Sequence, residues 1–277
     1  MRTIGSAVLV ILALLLAAVA GPSIWAERNV VSESGFVQLA GPLGDNREFQ
    51  QGLTAVVARE AAAQLNLPSQ LQNLAAGMIA SSAASLQSQP GYAQAWTQTL
   101  QRSHALTLHP GDNEAASGDL TLDVAPLVGL VATKISTDIG VKLPVPPAVL
   151  VNLDQPSVAS AIPVVTALGG MSGWLAFFAV DLFVLAVVVA RKRALTTLLT
   201  GVGLALVALA WKLGAGALAS QFARIGTGND IAEQFGSELG QLAQESWQWG
   251  INVGFALAGG VIAVGVITLI LGRRRTT

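Results

Sequence analysis

The sequence predicts a mainly α membrane protein, with four transmembrane helices and an extracytoplasmic α+β domain inserted between the first and the second helix. Hydrophobic residues make up 52% of the chain and charged residues only 11%, which is too apolar for an ordinary soluble protein. The apolar residues gather in stretches of membrane length, and short clusters of cations follow two of them. The net charge of −1 gives no reason to expect nucleic acid as a partner, so the composition predicts the lipid bilayer instead.

The best-defined transmembrane helix is predicted over residues 171–190. Trp174 opens an apolar run that only Asp181 interrupts, and at about 1.5 Å per helical residue this run is about 25 Å long. A loop over residues 191–194 closes it with three consecutive cations, Arg191, Lys192 and Arg193. Short basic loops stay in the cytoplasm, so we expect Trp174 to lie at the outer surface.

Residues 1–26 are predicted to form the first transmembrane helix. The apolar run from Ile4 to Ala20 is longer than most signal-peptide cores, and it extends to Trp25. Ala18-Val19-Ala20 resembles a cleavage site, so a signal peptide is the alternative to an uncleaved anchor. We prefer the anchor, and both interpretations place the next segment outside the cytoplasm.

Residues 27–170 are predicted to form the extracytoplasmic α+β domain. Helical periodicity predicts three helices, of which the first begins at Asp45, the second opens at Pro68 and the third carries Trp96. The spacing of apolar residues then changes from helical to alternating, which indicates β-structure in the second half of the domain.

Two strands are expected in that second half. Residues 119–124 alternate strictly between polar and apolar, and residues 149–153 form a short apolar run. A helix between them starts at Pro126 and ends at Gly140. The order strand, helix, strand predicts a small crossover unit.

The C-terminal part contains the remaining two transmembrane helices, over residues 195–213 and 250–272. The external loop between them, residues 214–249, contains an amphipathic helix that includes Phe235. This helix packs against the domain or lies on the bilayer surface, and we prefer the first alternative. The tail at residues 273–277 returns to the cytoplasm with three cations, Arg273, Arg274 and Arg275.

Tryptophans and charges support one topology for all four helices. Five tryptophans fall at predicted outer ends, where an aromatic belt forms: Trp25, Trp174, Trp211, Trp247 and Trp249. Cations, but no carboxylates, occupy the three stretches predicted to be cytoplasmic. We therefore expect a multi-pass protein of the cell membrane with both termini in the cytoplasm.

A series of features along the chain resembles a known group of proteins. After the N-terminal span come Gly41-Pro42-Leu43 and the helix from Asp45, then a helix with Trp96 and His104, then Gly118 to Asp123 followed by Pro126-Leu127-Val128, then paired spans. This series resembles a family of uncharacterised actinobacterial multi-spanning membrane proteins with an N-terminal span, an extracytoplasmic α+β domain and a C-terminal group of spans. This chain is shorter than its relatives before Gly118. The resemblance implies the architecture and no activity.

Asp181 is the residue that most suggests chemistry. It lies about 15 Å from the basic loop, near the bilayer midplane, where a carboxylate costs roughly 2.5–3.5 kcal/mol. We therefore expect it to face other helices, to find a partner or to stay protonated. Thr200 is the nearest plausible donor, whereas Lys212 lies at a different depth. The carboxyl is either a packing group, which we prefer, or part of a site for protons or cations.

Glycines predict close helix packing. Gly250 and Gly254 stand four residues apart and present a small face at the start of the fourth span. We expect this face to pack within the chain rather than between two copies.

The remaining polar residues favour no site. His104 and His109 are interpreted as a surface pair rather than a metal site. Three residues are interpreted as a solvated strand face, with cation binding as the alternative: Asp119, Thr121 and Asp123. The chain has no cysteine and no G-x-S-x-G or phosphate-binding motif, so we predict no enzyme, no metal and no cofactor.

We therefore predict an integral membrane protein that displays an extracytoplasmic binding or interaction domain, as an accessory subunit, a scaffold or an envelope sensor. Its expected partner is a membrane or envelope protein, and its oligomeric state stays open. The alternative is a small transporter or channel component that uses the intramembrane Asp181.

Overall fold

A computed structural model describes residues 2–64, 77, 79, 81–108, 121–140, 142–152, 156–222 and 230–274. The described helices are α1 (Arg2–Ala26), α2 (Glu33–Ala40), α3 (Arg47–Gln64), α4 (Tyr92–Leu108), α5 (Ala125–Ile139), α6 (Pro156–Gly170), α7 (Ser172–Val189), α8 (Arg193–Phe222) and α9 (Asp230–Arg274). A π-helical turn, Glu27–Val31, follows α1, and 3₁₀ turns occupy Gly41–Asp45 and Leu86–Ser88. The strands are β1 (Thr121–Asp123) and β2 (Leu150–Asn152).

The chain divides into two compact units. The unit that we call the bundle comprises Met1–Val30, Val164–Gln221 and Ala243–Thr277. The unit that we call the helical domain comprises Val31–Pro163 and Phe222–Leu242.

Within the described residues, four helical stretches are long and apolar enough to cross a membrane. They are Thr3–Val31, Ser172–Val189, Arg193–Gly216 and Phe235–Leu271. Their large apolar side chains are mostly exposed, as lipid contact requires. The prediction of four apolar helices of membrane length is therefore confirmed. The fourth stretch begins earlier than the predicted boundary at residue 250, because α9 is continuous from Asp230.

In the bundle, α1 packs along α7. Both helices bury only small side chains, and most of these recur every seven residues: Ser6, Ala13 and Ala20 on α1, and Ser172, Ala179 and Ala186 on α7. Small side chains let two helix backbones approach closely, and a seven-residue repeat is that of a left-handed helix pair. The pair is therefore held by backbone proximity rather than by large apolar side chains.

Glycines bring α8 and α9 together in the same unit. A Cβ atom on Gly201 would lie 2.8 Å from the backbone nitrogen of Ile262. A Cβ atom on Gly265 would lie 2.8 Å from the backbone of Leu198. Any side chain at either position would push the two helices apart.

The helical domain has a core of large apolar side chains. Its fully buried members include Phe49, Leu53, Leu100 and Leu127, which come from α3, α4 and α5. These residues lie on the apolar faces that helical periodicity predicted. The domain is thus built like a water-soluble protein.

The described β-structure is a single pair of strands. β1 pairs with β2 in antiparallel register, with Leu122 opposite Val151. The predicted crossover unit is therefore wrong, because a crossover joins parallel strands. The strand–helix–strand order is present, but α5 connects the two strands as a hairpin-like return.

The first turns of α9 belong to the helical domain. Phe235 is part of the apolar core, and Leu239 and Leu242 pack against it. The Asn46 side chain donates a hydrogen bond to Glu238 Oε2 at 2.7 Å. Of the two alternatives for the amphipathic segment, the structure shows packing against the domain.

Candidate functional site

A 3₁₀ turn at Gly41–Asp45 fixes the position of α4 in the helical domain. Its carbonyl groups accept hydrogen bonds from two aromatic side chains of α4: Trp96 Nε1 donates to Gly41 O at 3.1 Å, and Tyr92 Oη donates to Gly44 O at 3.1 Å. Gly44 lies directly against the indole, since a Cβ atom there would be 2.6 Å from Trp96 Cδ1. Two sequence features that lie far apart in the chain, Gly41-Pro42-Leu43 and Trp96, thus meet in space. Their role is structural, because the contact positions α4.

Burial changes the acidity of Tyr92. The ring is nearly buried, and loss of solvation raises the pKa of its hydroxyl to about 12, although the side chain of Gln50 acts in the opposite direction. Asp45 adds a smaller upward effect on the same pKa. The hydroxyl therefore stays protonated at neutral pH and remains a donor to the turn.

Asp123 is a buried structural carboxylate. Its Oδ1 accepts hydrogen bonds from the backbone nitrogens of Ala125 and Val149, both at 3.0 Å. Its Oδ2 lies 3.5 Å from Arg102 Nη1. The carboxylate thus accepts the backbone N–H of the first residue of α5 and ties this helix to the segment that enters β2.

The predicted solvated strand face is therefore wrong. Thr121 and Asp123 are both buried, and Asp119 lies outside the described residues. The alternative, a cation site, is not supported at Asp123 either, because the oxygens of this carboxylate already accept from backbone donors and contact Arg102.

A groove of about 390 Å³ lies beside this carboxylate, between α4 and α5. The segment Val145-Pro146-Pro147 forms its third side, and Ala95 and Leu130 contribute apolar surface. Most of its polar lining comes from α4, where Gln94, Gln98 and Arg102 follow one another at four-residue spacing on one helix face, and Thr133 of α5 adds a hydroxyl.

The polar groups of the groove are available to a ligand. Gln94 and Gln98 are exposed and form no hydrogen bond among the described residues. Arg102 is half exposed, and its Nη1 donates to Pro147 O at 3.1 Å. The groove therefore offers amide and guanidinium donors beside an apolar surface, which suits the carbonyl and carboxylate groups of an extended peptide.

Of the two histidines, the described one is not on the surface. His104 is buried, and its ring lies 5.3 Å from that of Phe36. His109 lies outside the described residues. The predicted surface pair is therefore wrong for His104. No group of three potential metal-binding side chains occurs within the described part of the chain.

In the bundle, Asp181 is exposed on α7. It forms no hydrogen bond or ion pair with any described residue. Of the three alternatives for this residue, contact with the other helices and a polar partner are not found among the described residues, because α7 packs through its opposite face. Thr200, the proposed donor, is buried in α8 with no hydrogen-bond partner for its hydroxyl among the described residues, and Lys212 is exposed.

Three of the five belt tryptophans pack against one another. The ring of Trp247 lies 5.9 Å from that of Trp25 and 5.6 Å from that of Trp211. Trp25 Nε1 also donates to Ser246 Oγ at 2.9 Å. Trp174 and Trp249 are exposed, as members of a belt at the lipid surface would be.

Trp211 donates a hydrogen bond that replaces one missing from the backbone of α1. Pro22 lacks a backbone N–H, so the carbonyl of Ala18 has no helical donor. Trp211 Nε1 donates to that carbonyl at 2.9 Å, and its ring lies on Gly21, where a Cβ atom would collide with it. Gly254 lies on the other side, with a hypothetical Cβ atom 3.1 Å from Trp211 Cζ3, whereas Gly250 borders only Trp247 of its own helix.

The predicted topology residues lie at helix ends. Arg191 and Lys192 are exposed between α7 and α8, and Arg193 is the exposed first residue of α8. Arg273 and Arg274 belong to the end of α9, and Arg275 lies outside the described residues.

Comparison of the chain with family models, with curated proteins and with solved structures found no match. What the protein does is therefore inferred from its own residues.

Proposed function

We propose that this chain is a multi-pass membrane protein that displays its helical domain outside the cytoplasm and acts by binding a partner there. The observation that carries the proposal is the contrast between the two units. The bundle exposes large apolar side chains along helices of membrane length, while the helical domain buries its own. One unit is thus suited to lipid and the other to water.

The orientation follows from the cations. Arg191 and Lys192 are exposed at a tight junction of two apolar helices, and Arg273 and Arg274 end the last one. Short basic segments stay in the cytoplasm, so the opposite ends of these helices face outward. Both termini are then cytoplasmic, and the helical domain is extracytoplasmic. Membership of the actinobacterial membrane family is part of the same proposal, and the order of features along the sequence is what supports it.

The groove between α4 and α5 is the proposed place of binding. The three polar side chains that α4 contributes are spaced for an extended chain, and the apolar surface of the groove would bury part of the ligand. We propose an extended peptide segment of an envelope protein as the ligand, which fits an accessory subunit, a scaffold or a sensor.

Topology can be tested cleanly because the chain has no cysteine. Ala93→Cys places a thiol on an exposed position of α4, and Lys192→Cys places one in the basic junction. In intact cells, a membrane-impermeant maleimide should label the first variant and should label the second only after permeabilisation. The reverse pattern would show that the domain is cytoplasmic.

Binding at the groove can be tested with a photoreactive amino acid at position 98. Position 93 is the matched control, because it is exposed on the opposite face of the same helix. We expect a discrete crosslinked product from position 98 in native membranes and none from position 93. Equal products from both positions would contradict binding at the groove.

The second candidate function is transport that depends on Asp181, which sits at the midpoint of α7. It predicts that Asp181→Asn abolishes a transport or growth phenotype at normal expression.

A further inference from the structure

We propose that two copies of this chain associate through the outer face of α7, with the two Asp181 carboxyl groups meeting at the centre of the contact. The inference rests on the transmembrane placement of α7, which is part of the proposed function. It does not depend on binding at the groove.

The outer face of α7 has the pattern of a helix-pairing surface. Its exposed residues, apart from Gly173 and Val180 at one edge, fall into three series that repeat every seven residues: Trp174, Asp181 and Val188, then Phe177 and Val184, then Phe178 and Leu185. At about 100° per residue, all of them lie within about 60° of Asp181. Such alternating three- and four-residue steps form the seam of a left-handed helix pair.

The opposite face of α7 is already used. Ala179 and Ala186 are buried where α7 packs on α1, and by the same rotation they lie at least about 140° from Asp181. The helix therefore has two packing faces with the same seven-residue repeat: the inner seam, which packs on α1, and the outer seam, which includes Asp181. The inner seam has a partner within the chain, and the outer seam has none among the described residues.

Asp181 determines which partner can pack on the outer seam of α7. A lone carboxylate exposed to hydrocarbon is costly, so this position needs a polar partner at the same depth. The exposed cation of the neighbouring span, Lys212, lies about 12 Å away along the membrane normal. In a dimer whose axis runs along the membrane normal, every residue meets its own copy at equal depth. The two Asp181 side chains then lie at the same depth, where each supplies the polar partner that the other lacks.

A polar residue at one position of an otherwise apolar seam has a known structural effect. It sets the register and the number of helices, because any shift leaves it without its partner. The carboxyl pair would thus specify a parallel dimer in which Trp174 lies at the outer end and Val188 at the inner end.

Disulfide crosslinking tests this contact. Val184→Cys lies on the outer seam at 57% exposure, and Ile267→Cys lies on α9 at 55% exposure as the matched control. Each variant is expressed as two copies with different epitope tags, and native membranes are oxidised. We expect a covalent dimer that carries both tags from Val184→Cys and several-fold less from Ile267→Cys. Equal yields, no dimer, or an adduct to a different protein would overturn the proposal.

Substitution of the carboxyl supplies the second measurement. Asp181→Leu makes the helix more apolar and should not impair insertion, whereas Asp181→Asn keeps a hydrogen-bonding group. We expect Asp181→Leu to weaken dimerisation in lipid nanodiscs roughly tenfold and Asp181→Asn to retain it. An unchanged dimer fraction in Asp181→Leu would overturn the role of the carboxyl. If dimerisation fails while Lys192→Cys labels as expected, only this inference is lost.

Discussion

The two units of this protein bury opposite kinds of side chain. The helical domain encloses Phe49, Leu53 and Leu100, whereas the bundle encloses mainly alanines and glycines and leaves its large residues outside, with Ile251 as an exception. In water, burial of apolar area is the main driving force, so the largest side chains go inside. In lipid that force is missing, and close contact between backbones decides which faces meet. A single chain thus follows two packing rules.

The largest expected effect comes from a matched pair of leucines, one in each unit. Leu100→Ala opens a cavity in the core of the helical domain and should reduce its free energy of unfolding by about 2–5 kcal/mol. Leu257→Ala removes an exposed side chain from α9 and should change the stability of the bundle by less than about 1 kcal/mol. Hydrogen exchange over α4 and α9, measured on the full chain in detergent, reports both values. Similar losses of stability in the two units would show that both units are packed in the same way.

A pair of glycines tests the rule for the bundle. Gly265→Ala places a methyl group 2.8 Å from the backbone of Leu198, which should cost about 1–3 kcal/mol as α8 and α9 separate. Gly260→Ala meets no atom within 4 Å and should be neutral or slightly stabilising. Thermal unfolding in detergent, followed by circular dichroism, compares the two. A neutral Gly265→Ala would mean that the contact between α8 and α9 is looser than the structure shows.

The smallest effect concerns the turn that holds α4. Tyr92→Phe removes the hydrogen bond to Gly44 O and should cost the domain about 1 kcal/mol at neutral pH. Tyr92 is the only tyrosine, so ultraviolet titration of the chain follows this group alone. Its pKa is about 12 in the folded domain against about 10 in an unfolded chain. The stabilisation is therefore complete below pH 10 and is lost as the pH rises toward 12. A titration midpoint near 10 in the folded protein would contradict the buried hydrogen bond.

Length and apolarity were enough to predict the four membrane-length helices, because these signals do not depend on neighbouring elements. Periodicity also predicted the helices that carry Phe49 and Trp96, whereas Glu33–Ala40 was missed and the start of the helix predicted from Pro68 lies outside the described residues. The environment of Asp123 was not, since alternation identifies two faces without saying which one is inside. A signal was present in the chain: an aspartate shortly before Pro126 is typical of a helix cap.

The groove and the tryptophan cluster were also beyond the sequence. The groove combines α4 and α5 with the separate segment at Val145, and only tertiary packing brings these together. Trp25 lies near the end of α1, as predicted, but Trp211 and Trp247 lie inside α8 and α9. Sequence position also cannot distinguish a side chain that faces lipid from one that faces another helix. The continuity of α9 was missed because its tryptophans resemble a membrane boundary.

The bond from Trp211 to the carbonyl freed by Pro22 has a mechanical consequence. It joins α8 to α1 at the level where Pro22 leaves a backbone carbonyl without its helical donor, and the edge-to-face contacts of the three indoles extend this connection to α9. None of these three helices can slide lengthwise without separating a ring from this cluster. Any movement of the bundle must therefore be a tilt or a twist about this fixed point, with the far ends of the helices travelling the greatest distance.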